Sequence, residues 1–259
     1  MSSARRTQIG QLARRSVLRT IRQPAQLVPA IFVPLLIFAV TAPGLKSATL
    51  LPGFPTSSYV TFALAVPFIQ GALFAVTNTG TDLAIDIQSG FLKRIALSPL
   101  RGPSLIVGFL AGAVALALIQ AAIFLSVGLA AGAHFEAGVG GVPVLLALWM
   151  LITVGCGALG LFVGLRTGSG YLVGSFYPVL VAFVFLSSLL LPRNLIAVDW
   201  YREIATYNPV SYLVEGIRSL MMTGWDAEAL ALGFGCAAAI ALVGIAAASS
   251  ELPKRLVRT

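Results

Sequence analysis

Runs of uncharged apolar residues alternate along the chain with short polar segments that collect nearly all of the charge. Six runs stand out, at 24–43, 59–79, 105–131, 142–165, 171–191 and 229–249, and none contains Asp, Glu, Lys or Arg. Each is about 20 residues or longer, the length a helix needs to cross a hydrocarbon core of about 30 Å. In hydrocarbon a helix satisfies its backbone groups within one segment, so the pattern predicts an all-α membrane protein with six transmembrane helices. Residues 1–259 read as one such unit. The first run does not read as a cleaved signal, because a long Arg-rich segment precedes it and no small-residue cleavage site follows. Pro29, Pro34, Pro67 and Pro178 fall inside the runs and predict kinks. Gly108 with Gly112, Gly128 with Gly132, and Gly160 with Gly164 have the spacing that lets helices approach closely.

The polar segments carry patterns of their own. In residues 1–23, Ile9, Ala13, Val17 and Ile21 recur every four positions with Arg15, Arg19 and Arg22 on the opposite side, which predicts an amphipathic helix. Such a helix lies in the headgroup layer with its arginines toward anionic lipid, or also meets a cytoplasmic partner. Segment 82–104, "DLAIDIQSGFLKRIALSPLRGPS", repeats the spacing with Leu83, Ile87, Phe91 and Ile95, and ends at Pro99 and the Gly102-Pro103 pair. Apolar Phe91 and Leu92 beside Lys93 and Arg94 suggest a docking surface, with an interfacial helix resting on lipid as the other reading. Residues 166–170, "RTGSG", form only a tight turn. Residues 192–228 are long for a bare connection. They hold a short amphipathic stretch, "VDWYREIATY", and then "NPVSYLVEGIRSLMMTG", with Asn208 as N-cap, Pro209 as first helical residue and Gly224 at the end. About 15 helical residues span only about 22 Å, too short to cross. Val210, Leu213, Val214, Ile217, Leu220 and Met221 form one stripe, with Ser211, Glu215, Arg218 and Met222 opposite. On this reading Glu215 and Arg218 sit one turn apart, facing each other or water at the outer boundary.

Composition agrees with a membrane solvent, with 58% hydrophobic and 10% charged residues and a mean hydropathy of +0.94. The net charge of +8 follows topology and not a nucleic-acid surface. With the N-terminus inside, the inner segments hold Arg5, Arg6, Arg14, Arg15, Arg19, Arg22, Lys93, Arg94, Arg101, Arg166, Lys254, Arg255 and Arg258, against Lys46, Arg193, Arg202 and Arg218 outside. That asymmetry predicts both termini in the cytoplasm. Cys156 and Cys236 fall in spans as small buried hydrophobes, and His134 stands alone in an outer loop. No cluster suggests a metal or an active site, so neither a metal nor catalytic residues are expected and the chain does not read as an enzyme. The six runs lack ionisable groups that would carry protons or bind ions, and the chain has no GxxxxGK[ST] phosphate loop. An energy source on another subunit is therefore expected. Gln70, Thr77, Asn78, Gln120 and Tyr177 are the polar span residues that would face a substrate path or bond between helices.

At "NPVSYLVEGIR", "SLMMTG" and "SGFLKRIALSPL" the sequence resembles the ABC-2 type permeases, membrane subunits of ATP-binding-cassette exporters, and especially their daunorubicin-resistance-like drug-export branch. The order of basic helix, two spans, cytoplasmic helix, three spans, outer helices and last span covers essentially the whole chain. The resemblance implies two permease subunits, the same or homologous, with two separate ABC ATPase subunits that carry ATP and Mg, no cofactor being held by this chain itself. It assigns ATPase coupling to Ile87, Gly90, Phe91, Leu92, Lys93, Arg94, Ser98 and Pro99, with the N-terminal helix as support. It assigns an outer re-entrant gate to Asn208, Pro209, Tyr212, Glu215, Gly216 and Arg218. "GFLKR" departs from an acidic "GTLER" pattern frequent in the family. The expected function is export of a lipophilic drug-like compound or lipid across a bacterial plasma membrane, since uncharged walls offer no counter-ion to a multiply charged cargo. A lipid-linked polysaccharide or glycolipid, or a non-transporting scaffold, are the alternatives.

Overall fold

The computed structural model describes residues 3–96 and 102–258, and among these it is α-helical with no strand. A basic helix, α1 (Ser3–Arg22), leads into α2 (Pro24–Gly44). A short 3-10 turn (Lys46–Leu50) precedes α3 (Tyr59–Ala63) and α4 (Ala65–Gln88), which together form one span of 30 residues. Then come α5 (Phe91–Ala96), α6 (Gly102–Ala130) and α7 (Gly138–Thr167). α8 (Gly170–Ser175) and α9 (Tyr177–Phe185) are short, α10 (Asp199–Tyr207) and α11 (Pro209–Met222) form the outer pair, and α12 (Ala227–Arg258) closes the chain.

Five helices among the described residues are long and apolar enough to cross a membrane, in the places of the first, second, third, fourth and sixth predicted spans. The fifth differs. It is a shorter apolar segment, Gly170–Phe185, interrupted at Phe176 where Pro178 starts a new helix, and it stops six residues before the predicted end at 191. Serines account for the stop. Ser187 Oγ bonds back to the Val184 carbonyl at 2.5 Å and the Ser188 N–H donates to Ser211 Oγ of α11 at 3.0 Å, so one local and one distant serine take the backbone groups a continuing helix would use.

α4 differs in the opposite sense. It runs on through Asp82 and Asp86 to Gln88, where a separate cytoplasmic helix within segment 82–104 was expected. Gly90, at φ 70°, then makes the turn that a side chain would strain, and α5 begins at Phe91. α12 likewise continues past the predicted span to carry buried Glu251.

α7 forms the centre, packed between α4 and α12. Small residues set the spacing: a Cβ on Gly164 would sit 2.6 Å from the Gly80 carbonyl, and one on Gly160 would run into the carbonyl of Val76. Gly155 and Gly244 bring α7 against α12 in the same way, and Gly216 meets Gly233 between α11 and α12. Gly108 and Gly112 receive α1 instead of another span, through Leu12, Ser16 and Thr20. Gly128 receives Leu64, whereas Gly132 lies beyond the end of α6. Trp149, Phe68 and Phe124 fill the middle, with Phe68 edge-on to both other rings and the Trp149 indole donating to the Ala117 carbonyl at 2.9 Å. One end of the bundle gathers α1, α5, the α7–α8 turn and the end of α12, and the other gathers the loop before α3, the α6–α7 turn, α10 and α11.

Candidate functional site

At the first end, Arg15 and Arg19 lie one turn apart on α1 and face Asp82 and Asp86, one turn apart on α4. Arg15 donates both terminal nitrogens to Asp86, each at 2.9 Å, in the fork geometry that makes Arg–carboxylate pairs strong. Arg19 donates to the same carboxylate at 2.9 Å and lies 3.2 Å from Asp82, whose other support is the Gln26 amide at 3.2 Å. Two arginines thus neutralise two buried aspartates, which explains how α4 can carry acids so far along its length. The prediction that Arg15 and Arg19 face lipid headgroups is corrected by these pairs. Arg15 and Arg19 turn toward α4, while Arg22 and Ile21 are exposed.

Arg15 also covers the Phe91 ring, with its guanidinium carbon 3.7 Å from the ring centre. One side chain therefore joins α1, α4 and the start of α5. Leu92, expected as part of an exposed docking face, is 1% exposed and packs with Leu83, Ile87, Leu105 and Leu161. Ile87 is buried in that cluster, Gly90 makes the turn, Phe91 is half-buried beneath Arg15 and Arg94 is exposed. Ser98, Pro99 and the side chain of Lys93 lie outside the described residues.

The second end is organised by the early stop of α9. A helix that ends leaves carbonyls without partners, and here long side chains supply donors. Asn208 Nδ2 donates to Phe183 and Leu186, at 2.7 and 3.0 Å, while its Oδ1 caps α11 through the Val210 N–H at 2.9 Å. The Tyr201 and Tyr59 hydroxyls take the carbonyls of Phe185 and Leu190, at 2.6 and 2.9 Å. Arg218 donates to the carbonyls of Ser188, Leu189 and Phe62 and stacks on the Phe62 ring at 3.4 Å.

The expected Glu215–Arg218 pair is thereby replaced. Arg218 is 3% exposed and spends its donors on backbone, whereas Glu215 pairs with Arg193 at 2.7 Å and accepts from Ser188 Oγ at 3.1 Å. Burial pushes the Arg218 guanidinium down to about 9, opposed by Tyr59 and Glu215, so it stays charged at neutral pH. Both faces of α11 are covered, Ser211 and Arg218 being as buried as Leu213 and Ile217, so the helix is wedged into the bundle and does not lie flat on it. Pro209 opens it, Tyr212 stacks under Arg193 at 4.6 Å, and Gly216 lets it touch α12.

The five polar span residues do not converge, and Thr77 Oγ1 bonds back to the Leu73 carbonyl of its own helix at 3.3 Å. Gln70 and Gln120 are buried in the packed core, with Gln120 donating to the Ala30 carbonyl at 2.8 Å. Asn78 borders a cavity of about 20 Å³ beside Asp82, room for one water. Tyr177 packs on Phe74 with ring centres 5.6 Å apart.

Arg15, Arg19, Asp82, Asp86, Ser188 and Arg193 are therefore structural participants that sequence reasoning did not assign. Two arginines and two aspartates each spaced by four were a signal for the first set. Nothing local marks the partners of Arg218, because they are backbone carbonyls.

The profile of the ABC-2 type transporter family matches residues 7–222, from α1 to the end of α11. "Putative transport permease ycf38" of Porphyra purpurea is 28% identical over 222 residues, covering 85% of this chain and 76% of its own length. "Daunorubicin resistance ABC transporter permease protein DrrB1" of Streptomyces coeruleorubidus is 28% identical over 202 residues, covering 76% of this chain and 69% of its own length. The match takes in the helices of both polar ends and most of the spans between them, and the chain belongs to the ABC-2 type transporter family as a multi-pass membrane transport permease.

Proposed function

We propose that this permease is the membrane-spanning subunit of an ATP-driven exporter that moves a lipophilic drug-like compound or lipid out of the cytoplasm or inner leaflet. The observation that carries the reading is the α1–α4–α5 junction. Arg15 ties α5 to α4 through Phe91 and Asp86, and α4 contacts α7 backbone to backbone at Gly80, Gly160 and Gly164. A push on α5 is thus delivered to the packed centre of the bundle without a soft link between. The basic residues cluster at this same end, which favours its facing the cytoplasm with both termini, in a bacterial plasma membrane.

On this reading the unit 1–259 is a single ABC-2 transmembrane domain, with the coupling segment over 82–104 and the outer re-entrant segment over 192–228. Two ABC ATPase subunits bind at α5 and supply ATP and Mg, and a second permease subunit completes the path. α10 and α11 close the outer side, and nucleotide closure below alternates the opening of the path.

Arg94 is exposed and tests the docking without touching the core. Purification of the Arg94→Glu permease with its ATPase is expected to lose at least half of the bound ATPase while the permease stays folded. Hydrophobic compounds are expected to stimulate ATP hydrolysis in the unaltered complex. Full ATPase binding and stimulation by the variant would remove α5 as the coupling surface. Leu92→Asp cannot serve here, because burial of a charge would unfold the cluster around it.

A further inference from the structure

Between the last turn of α9 and the outer face of α10 runs an open groove of about 460 Å³, within the range of small-molecule sites. Its walls are Phe183, Leu186, Trp200, Ile204 and Tyr207, with Trp200 61% and Tyr207 77% exposed. The only ionisable carboxylate among its lining residues is that of Glu203, and no Lys, Arg or His lines it. The other acids of this pair of helices are already engaged, Asp199 with Arg202 and Glu215 with Arg193. Glu203 has no hydrogen bond or ion pair among the described residues.

The groove is held open by construction. Asn208, at its floor, fastens α11 to the Phe183 and Leu186 carbonyls, and the Tyr201 hydroxyl fastens α10 to Phe185. Aromatic faces and one free carboxylate attract the same thing, a positive charge on an apolar body.

We propose that this groove is an outer binding site for lipophilic organic cations, with Glu203 as the counter-ion and Trp200 and Tyr207 as the aromatic walls. The proposal rests on reading α10 and α11 as the outer end of an export path, and it narrows the cargo to compounds bearing a single positive charge. An aromatic belt facing lipid would account for Trp200 and Tyr207 alone, but it has no use for an unpaired carboxylate between them.

The test needs no nucleotide and no ATPase, so its result stands apart from whether the permease is ATP-driven. Permease in phosphatidylcholine nanodiscs is titrated with tetraphenylphosphonium and with its anionic counterpart tetraphenylborate, and empty nanodiscs are subtracted. Saturable binding of the cation alone is expected, weakened about fivefold by Glu203→Gln and by Trp200→Ala. Glu203 is exposed, so its amide variant leaves the fold intact. Saturable binding of the anion at equal affinity, binding by Glu203→Gln as tight as by the parent, or no saturable cation binding because acyl chains fill the groove would each overturn the proposal.

Discussion

Replacing Arg218 with Ala removes a buried charge together with the donors of three backbone carbonyls, those of Phe62, Ser188 and Leu189. Each carbonyl left buried without a partner costs about 1–3 kcal/mol. Loss of the guanidinium also removes its own desolvation penalty, and the adjoining cavity of about 360 Å³ lets water reach part of the gap. The net loss is therefore about 3 kcal/mol, at the lower edge of the range for breaking a buried charged group's contacts. For a chain of this size that is a fall in Tm of about 10 °C. Arg193→Ala is the milder comparison, because its pair with Glu215 is partly open to solvent and, with the Tyr212 ring and the Thr206 carbonyl, is worth about 1–2 kcal/mol. Thermal unfolding of the two variants in nanodiscs, read by tryptophan fluorescence, should therefore separate them clearly. Compound preference in the ATPase assay is expected to stay the same in Arg218→Ala while turnover and assembly fall. A Tm for Arg218→Ala within about 2 °C of the parent, with changed compound preference, would refute the structural role and return Arg218 to the substrate path.

The junction of α1 with α4 predicts a coupling energy of about 1–2 kcal/mol between Arg15→Ala and Asp86→Ala in a double-mutant cycle of thermal unfolding, after allowing for the solvent that reaches Arg15. Additive effects would show that the fork does not hold the two helices together. Gly160→Ala places a methyl group against the Val76 carbonyl and is expected to lose about 1–3 kcal/mol, whereas Gly10→Ala meets nothing within 4 Å and should be neutral or gain slightly. Equal melting of the two would mean that α4 and α7 are not in backbone contact.

Much of this architecture was legible because membrane spans are written in composition. The runs at 24–43, 105–131 and 142–165 became helices near their expected bounds, since length and apolarity alone decide them. The cap Asn208, the opening Pro209 and the end near Gly224 were legible for a related reason, as capping depends on one residue and its neighbours. The helical end of the fifth span was misplaced because its sequence remains apolar to Leu191 while its backbone turns away at Leu186. Apolarity reports where the chain sits, not whether it is helical there. The contact of α1 with α4 was hidden by a similar ambiguity. Its arginines suit lipid headgroups as well as aspartates, and only the position of α4 beside it decides between them. Leu92 looked exposed because α5 was read as a free helix, when it folds back onto α4 and α12.

The central claim is that ATP used on the α5 side drives a lipophilic compound out through this permease. Proteoliposomes containing the permease and its ATPase, oriented with the ATPase outward and loaded with ATP and Mg only outside, test it directly with a fluorescent hydrophobic compound. ATP-dependent accumulation inside the vesicles is expected, abolished by an ATPase hydrolysis mutant and strongly reduced by Arg94→Glu. Accumulation that needs no ATP, or ATP hydrolysis at full rate with no movement of any hydrophobic compound or lipid, would contradict it.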